Sequence, residues 1–424
     1  MELMTKILSR SNLKAAYENV IRNKGSSGVD GITTKDLKGY VQRHWTRLKE
    51  ELESGHYQPK AILGVPIPKR NGGERLLGIP TTFDRMIQQA IHQELSPQFD
   101  PEFSSFSYGF RPGRNAGQAI RQALAYINEG HGRIVDIDLK SFFDEVNHDY
   151  LMNLLKRKVK DPHVLRLIWR YLRSPLQVDG KMHKRRKGLP QGGPLSPLLS
   201  NIVLNELDQE LGKRSLKFVR YADDFSIFLK TSRAAYRVKR RITRFIESKL
   251  HLLVNTKKSA IRKPLGYEYL GFAFESTYNK GDRGHYQLVA SHDSLGELKY
   301  KIREITRKTF PASFDERIDR LNLLMRGWLN YFKPASTYGK LRSIDGWVRN
   351  RLRYSIWHHW KKPRRRAISL MRLGVPQHMA WKWAMCRAGG WVISCSPILN
   401  TTITLERLKS RGYKSFLDYY LEIR

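Results

Sequence analysis

Tyr221-Ala222-Asp223-Asp224-Phe225 sets two adjacent carboxylates between two apolar runs. The flanking segments, Phe218-Val219-Arg220-Tyr221 and Phe225-Ser226-Ile227-Phe228-Leu229, are rich in β-branched and aromatic residues. Such runs read as strands, and the polar pair between them reads as a hairpin tip. Asp suits turns for its own reasons, so an isolated Asp-Asp pair is ordinary turn chemistry. Two carboxylates presented together on rigid strands also suit a hard divalent cation, which takes oxygen ligands. The rest of the chain decides between these readings.

A second acidic strand lies upstream. Ile134-Val135-Asp136-Ile137-Asp138-Leu139 alternates apolar and acidic residues at period two. Asp136 and Asp138 share a face, and Asp138, at the strand end, is the better candidate to join Asp223 and Asp224. Nucleotidyl transfer by two metals needs carboxylates that hold two cations about 3.5–4 Å apart, one for the attacking 3′-hydroxyl and one for the triphosphate. Between these acids in sequence lies Leu189-Pro190-Gln191-Gly192-Gly193-Pro194. Its glycine pair permits close backbone approach to a ligand, and Gln191 is the candidate to reach a base or sugar. Residues 62–79 read as a hairpin turning at Asn71-Gly72-Gly73, and its cations Lys69 and Arg75 suit a triphosphate clamp. Lys258 is a candidate proton donor to leaving pyrophosphate. Taken singly, these features are also a strand-end acid, a helix-entry loop and a solvated hairpin face.

The charge balance points the same way. Lys plus Arg number 77 against 39 Asp plus Glu, a formal net charge of +38 in 424 residues. Self-repulsion opposes such an excess in a compact chain, and its common purpose is a polyanionic partner, nucleic acid foremost. No apolar run approaches the ~18 residues of a spanning helix, and no signal-peptide core opens the chain, so a membrane is not an expected partner. Cys386 and Cys395 make neither a disulfide framework nor a four-ligand zinc site. A cytoplasmic setting is expected.

Residues 1–60 look helical and basic, with a Gly-rich break at residues 23–31. One helix is expected over 149–174. Ser196 reads as an N-cap with Pro197 at the first helical position, followed by a face of Leu199, Val203, Leu207 and Leu211. A helix near 233–250 is apolar on one side and carries Arg237, Lys239, Arg240, Arg241 and Arg244 on the other. After about residue 292 the pattern is mainly helical, and Ile318, Leu321, Met325, Trp328 and Phe332 recur at bundle spacing. From Lys340 to Arg366 ten basic residues face the single acid Asp345, with Trp347, Tyr354, Trp357 and Trp360 interleaved. Cations mixed with large aromatics suit backbone tracking and base stacking.

In this order the blocks resemble the reverse transcriptases encoded by bacterial group II introns. The resemblance rests on Ile67-Pro68-Lys69 with Leu77-Gly78-Ile79-Pro80-Thr81, on Ser107 to Arg114, on Asp136 to Asp144, and on Leu189 to Pro197. It continues through Tyr221 to Phe225, Leu252 to Ser259, Tyr269-Leu270-Gly271-Phe272, and Gly327-Trp328-Leu329-Asn330-Tyr331. Any one block is weak; the ordered set covers nearly the whole chain and is specific. Length and closeness look most like the compact class C subgroup.

The resemblance implies an α+β right-hand polymerase, with fingers and an antiparallel-sheet palm, then a helical thumb and a helical D domain. The expected partition is 1–85 for an N-terminal extension and fingers, 86–291 for the fingers/palm catalytic domain, 292–345 for the thumb with its maturase region, and 346–424 for the basic D domain. Asp138, Asp223 and Asp224, with the Leu139 backbone carbonyl, are the implied ligands of two Mg²⁺ ions, with Mn²⁺ as a substitute. Lys69, Arg75 and Arg111 fall at substrate positions, Gln191 near the incoming nucleotide, and Phe143 at a steric gate that excludes a ribose 2′-hydroxyl. Arg349, Arg351, Arg353, Lys361, Lys362, Arg364, Arg365 and Arg366 are the implied nucleic-acid contacts. Expected partners of a monomeric chain are group II intron RNA, an RNA template with a DNA or RNA primer, target DNA and dNTPs, in splicing and retrohoming. Many family members carry a zinc-bearing HNH endonuclease; two cysteines cannot build one, so second-strand cleavage is not expected of this polypeptide. A maturase that binds intron RNA without polymerising, and a domesticated relative of the same scaffold, stay open as alternatives. An RNA-dependent RNA polymerase would need ribose room at the gate, which Phe143 opposes.

Overall fold

The computed structural model describes residues 2–68, 72–277 and 284–424. The chain forms two compact units, residues 1–263 and 264–424.

The first unit opens with α1 (Glu2–Ile7), α2 (Arg10–Arg22) and α3 (Leu37–Glu53). The hairpin follows as β1 (Ile62–Pro68) and β2 (Glu74–Ile79), antiparallel from Leu63↔Ile79 to Pro68↔Glu74. Next come α4 (Thr82–Phe99), α5 (Ala116–Asn128), β3 (Arg133–Ile137), the short α6 (Phe142–Glu145), α7 (His148–Lys158) and α8 (Pro162–Arg173). The unit ends with β4 (Leu176–Val178), β5 (Lys181–His183), α9 (Ser196–Lys213), β6 (Lys217–Tyr221), β7 (Asp224–Leu229), α10 (Ser232–Lys249) and β8 (Ala260–Arg262). Its two sheets have the orders β2-β1-β4-β5 and β6-β7-β3-β8. The second sheet is antiparallel throughout; in the first, β1 and β4 run parallel.

Local chemistry places most of these boundaries. Thr81, Asn147 and Thr231 cap α4, α7 and α10 by accepting backbone N–H groups, and Asn115 with Gln118 closes a full capping box on α5. The single helix expected over 149–174 is two. Pro162 disfavours a helical residue before it, and Asp161 accepts the His163 and Val164 N–H groups to start α8 afresh. Ser196 is not an N-cap either: Leu195 holds that position, and the Ser196 hydroxyl instead donates to the Pro190 carbonyl at 2.6 Å. The α9 face of Leu199, Val203, Leu207 and Leu211 is buried as its spacing requires.

The second unit begins with a small antiparallel sheet, β9 (Glu268–Tyr269), β10 (Phe272–Ser276) and β11 (Tyr286–Ala290), in the order β11-β10-β9. The Ser294 hydroxyl donates to Gly271 O, and the Phe272 ring meets that of Phe332 at 4.8 Å, so the sheet is tied to the helices that follow it. These are α11 (His292–Ile305), α12 (Phe314–Tyr331), α13 (Tyr338–His359), α14 (Pro363–Arg372), α15 (Gln377–Ala384), α16 (Gly390–Ser394), α17 (Pro397–Thr402), α18 (Leu405–Ser410) and α19 (Phe416–Ile423). Ile318, Leu321 and Met325 of α12 pack in one core with Leu341, Val348 and Trp357 of α13 and Phe416 and Tyr420 of α19. No helix among the described residues is long and apolar enough to cross a membrane.

Asp345, the lone acid of the basic run, organises this core. It is buried and accepts four hydrogen bonds, from Tyr413 Oη at 2.9 Å, Ser415 Oγ at 2.8 Å, and the N–H groups of Phe416 at 2.8 Å and Leu417 at 2.9 Å. It thus pins the N-terminus of α19, where an anion is favoured. Stranding these buried donors in Asp345→Ala is expected to lower unfolding stability by about 3–5 kcal/mol, read as a shifted urea midpoint of the full chain. A wild-type midpoint would mean that the four donors find other partners.

Candidate active site

Three acidic side chains converge where β3 leaves the sheet and the β6–β7 hairpin turns. The β3–β7 register pairs Asp136 with Ser226 and Ile137 with Phe225. One residue past that register lie Asp138 on one side and Asp224, the first residue of β7, on the other. Asp223 sits in the tight turn between Tyr221 and Asp224, which Ala222 enters with φ +57°. The hairpin tip and the acidic strand read from sequence are therefore neighbours.

Their electrostatics record that proximity. Burial, then the charges of Asp223, Asp138 and Asp136, push the Asp224 carboxyl up to about 6, with Lys258 pulling the other way. The Asp223 carboxyl is also raised, first by burial and further by Asp138, while Arg75 and Arg220 lower it. Asp136 is raised by burial and held back by Arg262, whose Nε lies 3.2 Å from its carboxylate. Asp224 keeps solvent access, so the like-charge repulsion is the part of its shift that a cation would reverse. Oxygen donors crowded against their own repulsion fit a hard divalent ion. Among the described residues no three His, Cys, Asp or Glu side chains are arranged so that they could by themselves hold a metal ion. An open site, completed by substrate oxygens, is what two-metal transfer calls for.

The backbone around Asp138 is fixed by the segment before β8. Asp138 N–H donates to Ser259 Oγ at 3.0 Å, Asp138 O accepts from Asn255 N–H at 2.8 Å, and Lys140 N–H donates to Leu253 O at 2.8 Å. Residues 138 and 140 thus make the ladder bonds, and the Leu139 carbonyl is left outside them. Lys258 lies within this segment and is exposed.

The turn itself hangs on a residue that the sequence reading passed over. Arg220 is wholly buried; its Nε and Nη2 donate to Asp208 at 2.8 and 2.6 Å, and its Nη1 donates to Asn201 Oδ1 and to the Ala222 carbonyl, both at 2.9 Å. The one signal was a charged residue at an apolar position of Phe218-Val219-Arg220-Tyr221. Asn201 in turn donates to Gly109 O at 2.9 Å. Gly109 packs so closely on the turn that any Cβ there would overlap the Ala222 backbone nitrogen.

The loop at 189–193 is held against the hairpin sheet. Gly78 N–H donates to Gln191 O at 2.8 Å, and Gly192, at φ +131°, could carry no Cβ without striking Gly78 O. The same loop is bonded through Leu189 N–H to Phe143 O. Phe143 and Gln191 are both half-buried. Arg75 is exposed on β2, and its field reaches Asp223. Lys69 lies outside the described residues. Arg111 departs from its expected substrate role. All five of its guanidinium donors are engaged: with both oxygens of Asp100, with Asp100 O, and with the carbonyls of Ser104 and Ser107. It braces the loop that carries it.

In the second unit the expected nucleic-acid contacts divide. Arg353 is buried and donates to Ile403 O, Asn350 and Asn400; its guanidinium is structural. Arg351 donates to Thr306 Oγ1 and Arg303 O, and Arg366 donates to Trp360 O while lying 4.6 Å over the Trp357 ring. Trp357 is in the core. Arg349 is half-buried, whereas Lys361, Lys362, Arg364 and Arg365 are exposed around the start of α14.

Comparison with known proteins agrees with this architecture. Residues 67–274 match the family model "Reverse transcriptase (RNA-dependent DNA polymerase)", and residues 295–374 match "Group II intron, maturase-specific domain". Protein YkfC of Escherichia coli is 34% identical over 289 residues, covering 59% of this chain and 76% of that protein. The group II intron-encoded protein LtrA of Lactococcus lactis is 28% identical over 416 residues, covering 77% of this chain and 69% of that protein. The chain belongs to the group II intron reverse transcriptases. It is an RNA-directed DNA polymerase with a maturase region, its partners are nucleic acids, and reverse transcriptases as a family use divalent metal ions. A more distant relative, the putative COX1/OXI3 intron 1 protein of Saccharomyces cerevisiae, is 26% identical across 78% of this chain and 50% of its own length.

The raised Asp224 pKa carries a signed consequence. A carboxyl titrating near 6 in the fold and near 3.8 when unfolded binds its proton more tightly in the fold. The fold therefore loses stability as pH rises between those values and does not regain it above them. Asp224→Asn is expected to raise the melting temperature at pH 8, about 2–4 °C for each kcal/mol of repulsion removed, with the gain vanishing near pH 4. Mg²⁺ should raise the melting temperature of the wild type more than that of the variant. An unchanged or lower melting temperature at pH 8 would mean that these carboxylates do not repel across the site.

Proposed function

We propose that this reverse transcriptase works by two-metal nucleotidyl transfer at Asp138, Asp223 and Asp224, and that it binds its intron RNA as a maturase in splicing and retrohoming. What supports the reading is the β3–β7 register, which ends at Ile137 and Phe225 directly before Asp138 and after Asp224, together with the charge of Asp138 acting on both Asp223 and Asp224. Those three carboxylates and the Leu139 carbonyl would hold two Mg²⁺ ions, for which Mn²⁺ is a substitute. Bound there, the ions supply charge neutralisation at the triphosphate and a more acidic primer 3′-hydroxyl.

The remaining roles fall to the chain's own residues. The O3′–Pα bond forms as the bond from Pα to the bridging oxygen breaks, and pyrophosphate leaves. Arg75, with Lys69, draws in the triphosphate. Lys258, beside Asp224, returns a proton to the leaving pyrophosphate. Gln191, anchored through its own backbone, lies against the incoming nucleotide. Phe143 presents an aromatic face to C2′ that leaves no space for a ribose oxygen. The exposed Lys361, Lys362, Arg364 and Arg365, with Arg349, track the phosphates of intron RNA or target DNA. In this reading the fingers, palm, thumb and D domain occupy 1–85, 86–291, 292–345 and 346–424, and a monomer acts in a bacterial cytoplasm.

Primer extension on an RNA template with Mg²⁺ and dNTPs tests the site. Asp223→Ala is expected to reduce synthesis at least about 10³-fold while RNA binding stays within twofold. Synthesis near wild type would remove Asp223 from the reaction. Phe143→Ala is expected to admit ribonucleotides, cutting the dNTP/rNTP ratio of kcat/KM at least about tenfold; unchanged discrimination would sink the gate.

A further inference from the structure

Phe110 is held in a conformation that its side chain resists. Its φ is +59°, a left-handed backbone that costs a bulky residue on the order of 1–2 kcal/mol. The residue is nevertheless 46% exposed, so burial does not explain why an aromatic stands there. Strain of this kind persists only where the surroundings over-determine it, and it clusters at functional sites.

Those surroundings are specific. Residues 106–109 run parallel along the edge of β6: Ser107 pairs with Arg220, Tyr108 N–H donates to Arg220 O at 2.9 Å, and Arg220 N–H donates to Phe106 O at 2.9 Å. Gly109 then abuts Ala222, and its carbonyl is held by Asn201. On the far side, Arg111 spends all its donors on Asp100, Ser104 and Ser107. Phe110 is clamped between these two anchors. Phe110 follows directly on Gly109, which abuts Ala222, the residue before Asp223. The chain thus holds the backbone of an exposed aromatic residue, at a conformational cost, next to the turn that carries the catalytic carboxylates.

We propose that Phe110 is a positioning residue whose ring rests against the nucleotides of the template–primer duplex next to the reacting 3′ end. An aromatic face offers apolar contact to sugars and base edges of any sequence, which a polymerase that must accept every template requires. The left-handed backbone fixes the Cα–Cβ direction from which the ring projects. The proposal rests on the polymerase reading of the site, and an Asp223→Ala control separates the two: if wild type and control polymerise alike, the site reading fails first.

The test uses the full chain with Phe110→Gly, Phe110→Ala and Phe110→Tyr. Glycine relieves the strained backbone, so Phe110→Gly should melt at or above wild type. It and Phe110→Ala should raise KM and Kd for a defined RNA/DNA template–primer about tenfold, while KM for dNTP stays within twofold. Phe110→Tyr, which keeps the ring, should restore wild-type affinity. Unchanged template–primer affinity in the folded Gly and Ala variants would overturn the proposal. So would a loss of affinity accompanied by a fall in melting temperature of more than about 4 °C, since the ring would then be holding the loop. A change confined to KM for dNTP would also overturn it, by moving the ring to the incoming nucleotide.

Discussion

Arg220 has its side chain wholly removed from water, and its four hydrogen bonds join α9 to the turn that carries Asp223. Burying a guanidinium and a carboxylate together costs desolvation, so the pair with Asp208 is poor evidence of stability. Its value is geometric. The bidentate contact to Asp208 fixes the fork, and the remaining Nη1 fixes Asn201 and the Ala222 carbonyl. Asn201 then holds Gly109, which sits against the same turn. A hairpin tip is ordinarily a mobile place. Here the tip is tied from beneath and from the side, so its two carboxylates are presented in one arrangement.

That arrangement works against itself electrostatically. Asp136, Asp138, Asp223 and Asp224 share one corner of a sheet, and burial first, then the neighbouring carboxylates, raises the carboxyls of Asp223 and Asp224. A site that binds dications gains from such tension, because the ion relieves repulsion as well as forming its own bonds. The cations nearby are graded. Arg262 is committed to Asp136, Arg220 lies beneath the turn, and Arg75 and Lys258 are exposed on separate elements. The last two can answer a negatively charged substrate without dismantling the fold.

The second unit uses arginine in two ways. Arg353, Arg351 and Arg366 join carbonyls, hydroxyls and rings inside a helical core, where a planar fork with many donors ties elements that few apolar side chains could align. Lys361, Lys362, Arg364 and Arg365 are left in water at the start of α14. Cations at a helix N-terminus oppose the helix dipole, so their presence there is not for the stability of the helix.

Much of the first unit was legible in its sequence. Period-two alternation marked the strand before Asp138, β-branched and aromatic content marked the strands around Asp223 and Asp224, and the apolar face of α9 followed from its spacing, whereas the cap read at Ser196 stands at Leu195. These are local signals, written within a few residues of where they act. Asp138, Asp223 and Asp224 were singled out by the order of the surrounding blocks, since an Asp-Asp pair taken alone is ordinary turn chemistry. The tertiary structure alone decided what the long cationic side chains do. Arg111 was expected at a substrate position and Arg353 among the nucleic-acid contacts, yet their partners include Asp100 and the Ile403 carbonyl, and no local pattern names them. Arg220 was hidden for the same reason, since Asp208 and Asn201 lie on another element. The strain at Phe110 was likewise set by bonds to β6 and α9. Sequence fixes backbone preference over short range; a charged side chain takes its role from whichever distant donors and acceptors the fold delivers to it.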